Sequence, residues 1–308
     1  MKVLVTGGAG FIGSHTVERI LARGWEAVVL DNLSTGLRTN VADGVRMIEM
    51  DILDDRLLDL FTRENFDCVV HLAAQTAVPY SIDHPDTDCQ INLLGLVNIL
   101  EACRKTGVNR VVFASSAAVY GNAANLPIIE ETTLYPGSFY GLTKCTGEKY
   151  LKLYSQIHNV EYVALRYANV YGERQGDGGE GGVVSIFTRK LYQNQSLSIF
   201  GDGGQTRDFI YVGDVAAANC QALIAPKVAA NRVYNISTQT QTSVNELAHL
   251  LSQAAEKPVH KNYMPARDGD IYHSMLSNQA AVASLGWNPV MPLAEGLNRT
   301  YHSLKKSL

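Results

Sequence analysis

The sequence predicts a doubly wound α/β protein, on three observations. Short valine-rich runs with both faces apolar recur along the first half of the chain, as in KVLVTG (2–7) and RVVFASS (110–116). Longer segments with apolar residues three and four apart alternate with them, and a glycine-rich turn follows the first run. Strands apolar on both faces belong in a buried parallel sheet, and alternating helices cover such a sheet on both sides.

In chain order the strand-like runs are KVLVTG, EAVVLD (26–31), a third that ends before Asp51, DCVVHLAA (67–74), RVVFASS and EYVALRYANV (161–170). Between them FIGSHTVERILARG, LLDLFTREN, INLLGLVNILEACRKTG and YGLTKCTGEKYLKLYSQIHN read as helices, with glycine or asparagine at their stops. Near residue 172 the pattern changes, because ERQGDGGEGG packs glycines and charges into a loop. Beyond it come a helix in VVSIFTRKLYQN, the stretch SLSIFGDGGQTRDFIYV, a helix in VGDVAAANCQALIA and a strand in RVYNIS. The expected division is a first domain over 1–171, rejoined by a segment near 208–237, and a smaller α/β domain over 172–308.

Composition narrows the function classes. With 308 residues, 46% of them hydrophobic, the chain can bury a sizeable core. A net charge of −4, from 26 basic and 30 acidic residues, gives no pull toward nucleic acid or an anionic membrane. Cys68, Cys89, Cys103, Cys145 and Cys220 lie far apart with no metal-ligand spacing, so reduced thiols and no metal are expected. No stretch reaches the ~20 apolar residues of a membrane span, and a cytoplasmic, small-molecule protein is the expectation.

The turn TGGAGFIGSH contains Gly8-x-Gly10-x-x-Gly13 and the overlapping Gly7-x-x-Gly10-x-x-Gly13. Between a strand and a helix such glycines permit a tight turn, close approach to a pyrophosphate, and an anion facing the helix N-terminus. Asp31 ends the next strand, where a carboxylate accepts ribose hydroxyls and repels a 2′-phosphate, favouring NAD over NADP. Asp51 and Ile52 are either an adenine contact or an ordinary turn. Leu72, Ala73 and Ala74 either let the backbone approach the cofactor or simply pack, and His71 beside them reads as a hydrogen-bonded core histidine.

Tyr140 and Lys144 stand four residues apart, on one face of a helix. An ammonium beside a phenol favours the phenolate over its free pKa of about 10, which suits a base for an alcohol; the alternative is a pair that only packs. Ser115 and Ser116 end the strand after which a doubly wound sheet places its ligands.

The glycine fingerprint, the strand-end serine and YxxxK together resemble the extended short-chain dehydrogenase/reductase family, with a Rossmann-type sheet, and within it the nucleotide-sugar 4-epimerases, those of UDP-glucose above all. This resemblance implies Tyr140, Lys144 and Ser116 as catalytic residues. It implies NAD contacts from Gly7, Gly10, Phe11, Ile12, Gly13, Asp31, Asn32, Ser34, Thr35, Gly36, Asp51, Ile52, Leu72, Ala73, Ala74, Asn92, Ser115 and Tyr167 as well as Tyr140 and Lys144. On the substrate side it maps Asn169 to the diphosphate and Arg207, Arg267 and Asp270 to the nucleotide, where arginine forks suit a diphosphate and an aspartate suits ribose hydroxyls. Val183 and Phe209 are either flanks for the uracil or core.

Related dehydratases carry an Asp-Glu pair, and decarboxylases a glutamate, where this chain has Ala117 and Ala118. Without those carboxylates the site lacks the groups for C5 proton abstraction or loss of water, and reversible oxidation at one carbon remains. The expected reaction is NAD-dependent epimerisation at C4 of a UDP-hexose through a transient 4-keto sugar. Ser274, four places beyond Asp270, is small where the family sets room for the C2 substituent, so N-acetylated hexosamines are expected to fit. UDP-glucuronate stays open through Arg174 and Arg189; other readings are a net NAD(P)-dependent reductase or a non-catalytic NAD-sensing module. The resemblance also implies galactose metabolism and a homodimer built on helices within 86–105 and 139–158.

Overall fold

The computed structural model describes residues 1–176, 182–267 and 271–307. In chain order its strands are β1 (Lys2–Thr6), β2 (Glu26–Asp31), β3 (Arg46–Glu49), β4 (Cys68–His71), β5 (Arg110–Ser116), β6 (Glu161–Tyr167), β7 (Asn169–Tyr171), β8 (Leu197–Phe200), β9 (Thr206–Arg207), β10 (Phe209–Tyr211), β11 (Arg232–Ile236), β12 (Thr242–Ser243) and β13 (Lys261–Met264). The helices are α1 (Phe11–Ala22), α2 (Leu57–Glu64), α3 (Val78–Asp83), α4 (Pro85–Cys89), α5 (Gly95–Thr106), α6 (Phe139–His158), α7 (Val183–Tyr192), α8 (Val212–Leu223), α9 (Val244–Ala255), α10 (Gln279–Leu285) and α11 (Leu293–Ser307).

The central sheet has seven parallel strands in the order β11-β6-β5-β4-β1-β2-β3. Successive strands leave β1 toward β3, and the chain then returns to β4 on the other side of β1. That reversal opens a crevice at the carboxyl ends of β1 and β4, where such sheets bind ligands. Alternate residues of each strand bury against opposite layers. Val3 and Val5 pack with Val17 and Ile20 of α1 and Ala218 of α8, while Leu4 packs with Leu60 of α2, Ile99 of α5 and Leu151 of α6. At roughly 1.5–3 kcal/mol for each fully buried aliphatic side chain, these two layers dominate what holds the sheet.

Two runs differ from their sequence reading. EYVALRYANV is not one strand: the Ala168 amide still bonds the Ile236 carbonyl (3.0 Å), but Asn169–Tyr171 turn away to pair in parallel with β10. DCVVHLAA stops as a strand at His71, where the Leu72 amide makes a last bond to the Thr6 carbonyl (3.1 Å) and the chain leaves the sheet. The helix expected in INLLGLVNILEACRKTG begins earlier, as α4, and passes into α5 through one π-helical turn, Gln90–Leu94.

A second core joins α7, α9 and α11 to β8 and β10 through Phe187, Leu197, Phe209, Leu247, Leu251, Leu297 and Tyr301. Residues 272–277 run between the two regions as a strap. Thr206 donates to the Tyr272 carbonyl (2.8 Å) and Ser274 to the Thr206 carbonyl (3.2 Å); further on, Ile128 donates to Met275 and Ser277 to Ile128, both at 2.8 Å. Among the described residues no helix is long and apolar enough to cross a membrane.

Candidate active site

The first turn is built by close contact. A Cβ on Gly13 would lie 2.0 Å from the Gly7 carbonyl oxygen, and Gly7 itself has φ +68 with the Ala73 amide against it, so neither position accepts a side chain. Helix α1 starts after Gly10 with no side-chain cap, which leaves its first amides, those of Phe11, Ile12 and Gly13, to an anion. The cradle therefore fits a dinucleotide pyrophosphate.

Asp31 is 6% exposed, and its carboxylate accepts the Ala9 amide (2.9 Å) and the Leu33 amide (2.8 Å), one on each oxygen. Each oxygen keeps a lone pair for ribose hydroxyls. Gly36 packs against this carboxylate and Ala9, while Asn32, Ser34 and Thr35 are exposed around it. Asn32 donates to Asp51 (2.7 Å) and so ties the loop after β2 to the turn after β3. Ile52 is core, pressed on Gly95. Across the crevice the Thr6 hydroxyl oxygen accepts the Leu72 and Ala73 amides, both at 3.2 Å, and its proton goes to His71 Nδ1 at 2.8 Å. Burial pushes the His71 imidazole down to about 3, so it stays neutral.

Helix α6 carries the reactive pair. The Ser138 hydroxyl caps it by accepting the Gly141 amide (3.1 Å), and the Ser81 hydroxyl of α3 accepts the Tyr140 amide (3.1 Å). Gly141 lies so close to Ala118 that a Cβ would meet its carbonyl oxygen at 2.6 Å, so the turn after β5 and the start of α6 are pressed together. That contact sets the turn that begins at Ser116, whose hydroxyl oxygen accepts the Ala118 amide at 3.2 Å, against the start of the helix bearing Tyr140. Lys144, 4% exposed, holds its Nζ 5.8 Å from the centre of the Tyr140 ring and 5.0 Å from that of Phe113. Desolvation drops the ammonium to about 8, against a smaller opposing pull from Asp88. Tyr167 stands opposite Ser116 in the sheet register, buried in the core, with its hydroxyl donated to Asn219 (2.6 Å).

Four of the expected contact residues have side chains engaged within the protein itself. Ser115 and Ser116 sit on opposite faces of β5, and the Ser115 hydroxyl donates to Glu148 on α6 (2.6 Å). Glu148 in turn receives both arms of Arg166, at 2.8 and 2.6 Å, in a buried ion pair. The Asn92 carboxamide is bonded within the protein: Oδ1 accepts the Gln75 amide (2.8 Å), and Nδ2 donates to the Gln75 carbonyl (2.9 Å) and to Asp88 (3.0 Å). Phe209, 4% exposed, belongs to the second core, and Val183 packs against the same cluster.

On the substrate side, Asn169 is exposed and pairs in register with Phe209, two residues from Arg207. Ser274 lies on the strap beside Thr206, and Asp270 falls outside the described residues. Arg267 lays its guanidinium over the Phe200 ring, 3.7 Å from its centre. Phe200 was missed, although the alternation in Leu197-Ser198-Ile199-Phe200 turns it outward and its partner was already a candidate. Arg174 is bound to Glu18 (2.8 Å) and His15 (3.0 Å). Arg189 donates to the Gln175 carbonyl at 3.5 Å.

This architecture, a glycine-rich dinucleotide cradle at the switch point of a doubly wound parallel sheet, defines a class of dinucleotide-binding enzymes. A family model described as the NAD dependent epimerase/dehydratase family matches residues 3–237, and the chain belongs to that family. The UDP-glucose 4-epimerase of Mycolicibacterium smegmatis is 39% identical over 306 residues, with 97% of each chain covered. The structure of UDP-glucose 4-epimerase from Thermotoga maritima with UDP-glucose matches with a TM-score of 0.96 at 38% identity, over 100% of this chain and 99% of that one. The UDP-glucose 4-epimerase of Thermus thermophilus in complex with NAD gives 0.93 at 40% identity, with 100% of both chains covered.

Proposed function

We propose that this chain is an NAD-dependent isomerase that inverts C4 of a UDP-hexose, UDP-glucose and UDP-galactose first among them. The observation that carries the reading is the close packing of the turn after Ser116 on the start of the helix that bears Tyr140 and Lys144, with alanines in that turn where elimination would need carboxylates. NAD, cradled by the Gly7–Gly13 turn and Asp31, supplies reversible hydride transfer when bound. Tyr140 Oη takes the O4 proton of the sugar and returns it, Ser116 Oγ holds O4, and the Lys144 ammonium favours the tyrosinate. Inversion follows when the 4-keto sugar turns within the site and is reduced on its other face.

In this reading residues 1–171, with the 208–237 segment, hold the dinucleotide, and 172–308 hold the UDP-sugar. Asn169, Arg207 and Arg267 take the nucleotide, and Phe200 offers its ring to the base. The small Ser274 leaves room for an N-acetyl group, so UDP-N-acetylhexosamines are substrates too. Arg174 is committed to Glu18, which disfavours UDP-glucuronate. The protein works in the cytoplasm, in galactose metabolism, as a homodimer. Phe139, Leu142, Tyr150, Leu153 and Ile157 form one exposed apolar stripe along α6, beside exposed Leu94, and a second copy would cover it.

The decisive experiment incubates the purified protein, without added cofactor, with UDP-glucose, UDP-galactose, UDP-N-acetylglucosamine and UDP-glucuronate, and identifies products by proton NMR. Interconversion at C4 with no net NADH is expected. Stoichiometric NADH production would establish a dehydrogenase instead, and immeasurably slow turnover of the N-acetyl sugar would overturn the role given to Ser274.

A further inference from the structure

Asp88, on α4, is a fully buried carboxylate outside the residues assigned above. Three neutral donors hold it: Gln75 Nε2 (2.8 Å) and Asn92 Nδ2 (3.0 Å) reach Oδ1, and Thr143 Oγ1 (2.8 Å) reaches Oδ2. Burying a carboxylate is costly without a counter-charge, and desolvation outweighs these hydrogen bonds in raising its pKa. The cation that acts on it is Lys144, the residue after Thr143 on the catalytic helix, and that ammonium is itself buried.

The same carboxylate orders the cofactor side. Asn92 clamps the Gln75 backbone from both its amide and its carbonyl, while Asp88 holds the Gln75 side chain, whose carboxamide also bonds Ala77. The π-helical turn Gln90–Leu94 contains Asn92, the kind of local departure that recurs at functional sites. One buried cluster thus joins the chain leaving β4 to the helix that bears Tyr140 and Lys144. Among the described residues the other groups around Lys144 offer it no free anion: His71 on β4 is neutral, Phe113 on β5 offers a ring, Tyr167 on β6 donates to Asn219, and Glu148 one turn along α6 is spent on Arg166.

We propose that Asp88 is a positioning residue for the reaction, one that sustains the ammonium form of Lys144 and keeps the segment after β4 in place against the catalytic helix. This rests on the function proposed above, in which Lys144 tunes Tyr140. Asp88→Asn is nearly isosteric: its carbonyl can still accept from Gln75 and Asn92, and its amide can donate to Thr143, whose proton then goes to the Tyr140 carbonyl at 3.0 Å.

The test is an NMR titration of the full-length protein with bound NAD, labelled with 13C at lysine Cε, the Lys144 signal being identified by its loss in Lys144→Met. In the wild type the signal should show its own alkaline step and a second, acidic step as Asp88 takes up a proton. In Asp88→Asn the acidic step should vanish and the alkaline step should fall by about one pH unit, with the alkaline limb of kcat moving in parallel. A wild-type titration with no acidic step, which requires no variant to fold, would overturn the proposal, as would an unchanged alkaline step in Asp88→Asn. If no UDP-hexose turns over, the functional reading fails while the titration still decides the role of Asp88.

Discussion

Replacing Lys144 by methionine should make the protein inactive and more stable. Burial lowers the Lys144 pKa from its ordinary 10.5 to about 8. At ~1.4 kcal/mol per pH unit, the folded state then bears a penalty of about 3 kcal/mol wherever the lysine is protonated in both folded and unfolded chains. The sign follows from proton counting. Below the folded pKa the penalty is complete; between the folded and unfolded values the unfolded chain binds more protons, so wild-type stability climbs with pH; above both, the penalty is gone. Methionine has similar length and no charge, so it keeps most of the packing against Phe113. Urea unfolding of both cofactor-free proteins between about pH 7 and about pH 10 should therefore show Lys144→Met ahead by up to about 3 kcal/mol at the neutral end, with the gap closing as pH rises. A gap independent of pH, or a variant less stable throughout, would refute the reasoning.

Tyr140→Phe should lower kcat on the order of 100- to 10,000-fold while fold and NAD content stay intact, and near-normal turnover would remove Tyr140 as the base. In Gly13→Ala the new methyl would meet the Gly7 carbonyl at 2.0 Å, so NAD released on denaturing the purified protein should fall at least about 10-fold. Glu148→Gln leaves the Arg166 guanidinium buried without its counter-ion, and the expected loss is ~3–5 kcal/mol by urea unfolding. A double variant that also replaces Arg166 by methionine should recover much of that loss.

The sequence displayed the parts of this molecule whose physics is local. Alternating strand and helix periods, the glycines of the first turn, and Tyr140 four residues before Lys144 depend on neighbours along the chain. What stayed hidden depends on partners far away in it. Adjacent serines give no sign of which hydroxyl the protein uses internally, and it is the bond to Glu148 on α6 that separates Ser115 from Ser116. The engagement of Asn92 does not show in the sequence because Gln75, the partner on both sides of its carboxamide, comes from the segment after β4. The break at Ala168 is invisible in EYVALRYANV, since it arises from pairing with a strand some 40 residues later. Phe209 and Phe200 carry the same side chain, and the buried–exposed alternation of β8 was the cue that separated them.

The strap over 272–277 has an evolutionary consequence. It carries Ser274 while bonding Thr206, next to Arg207, on one side and Ile128 on the other. Its own side chains are therefore held in place by backbone bonds that substitutions other than proline leave intact. Under the proposed function, a lineage that trades Ser274 for a larger or smaller residue changes which sugars it processes, with the chemistry of Tyr140 and Lys144 inherited untouched from a helix more than a hundred residues earlier. Selectivity and reactivity in this chain can drift independently.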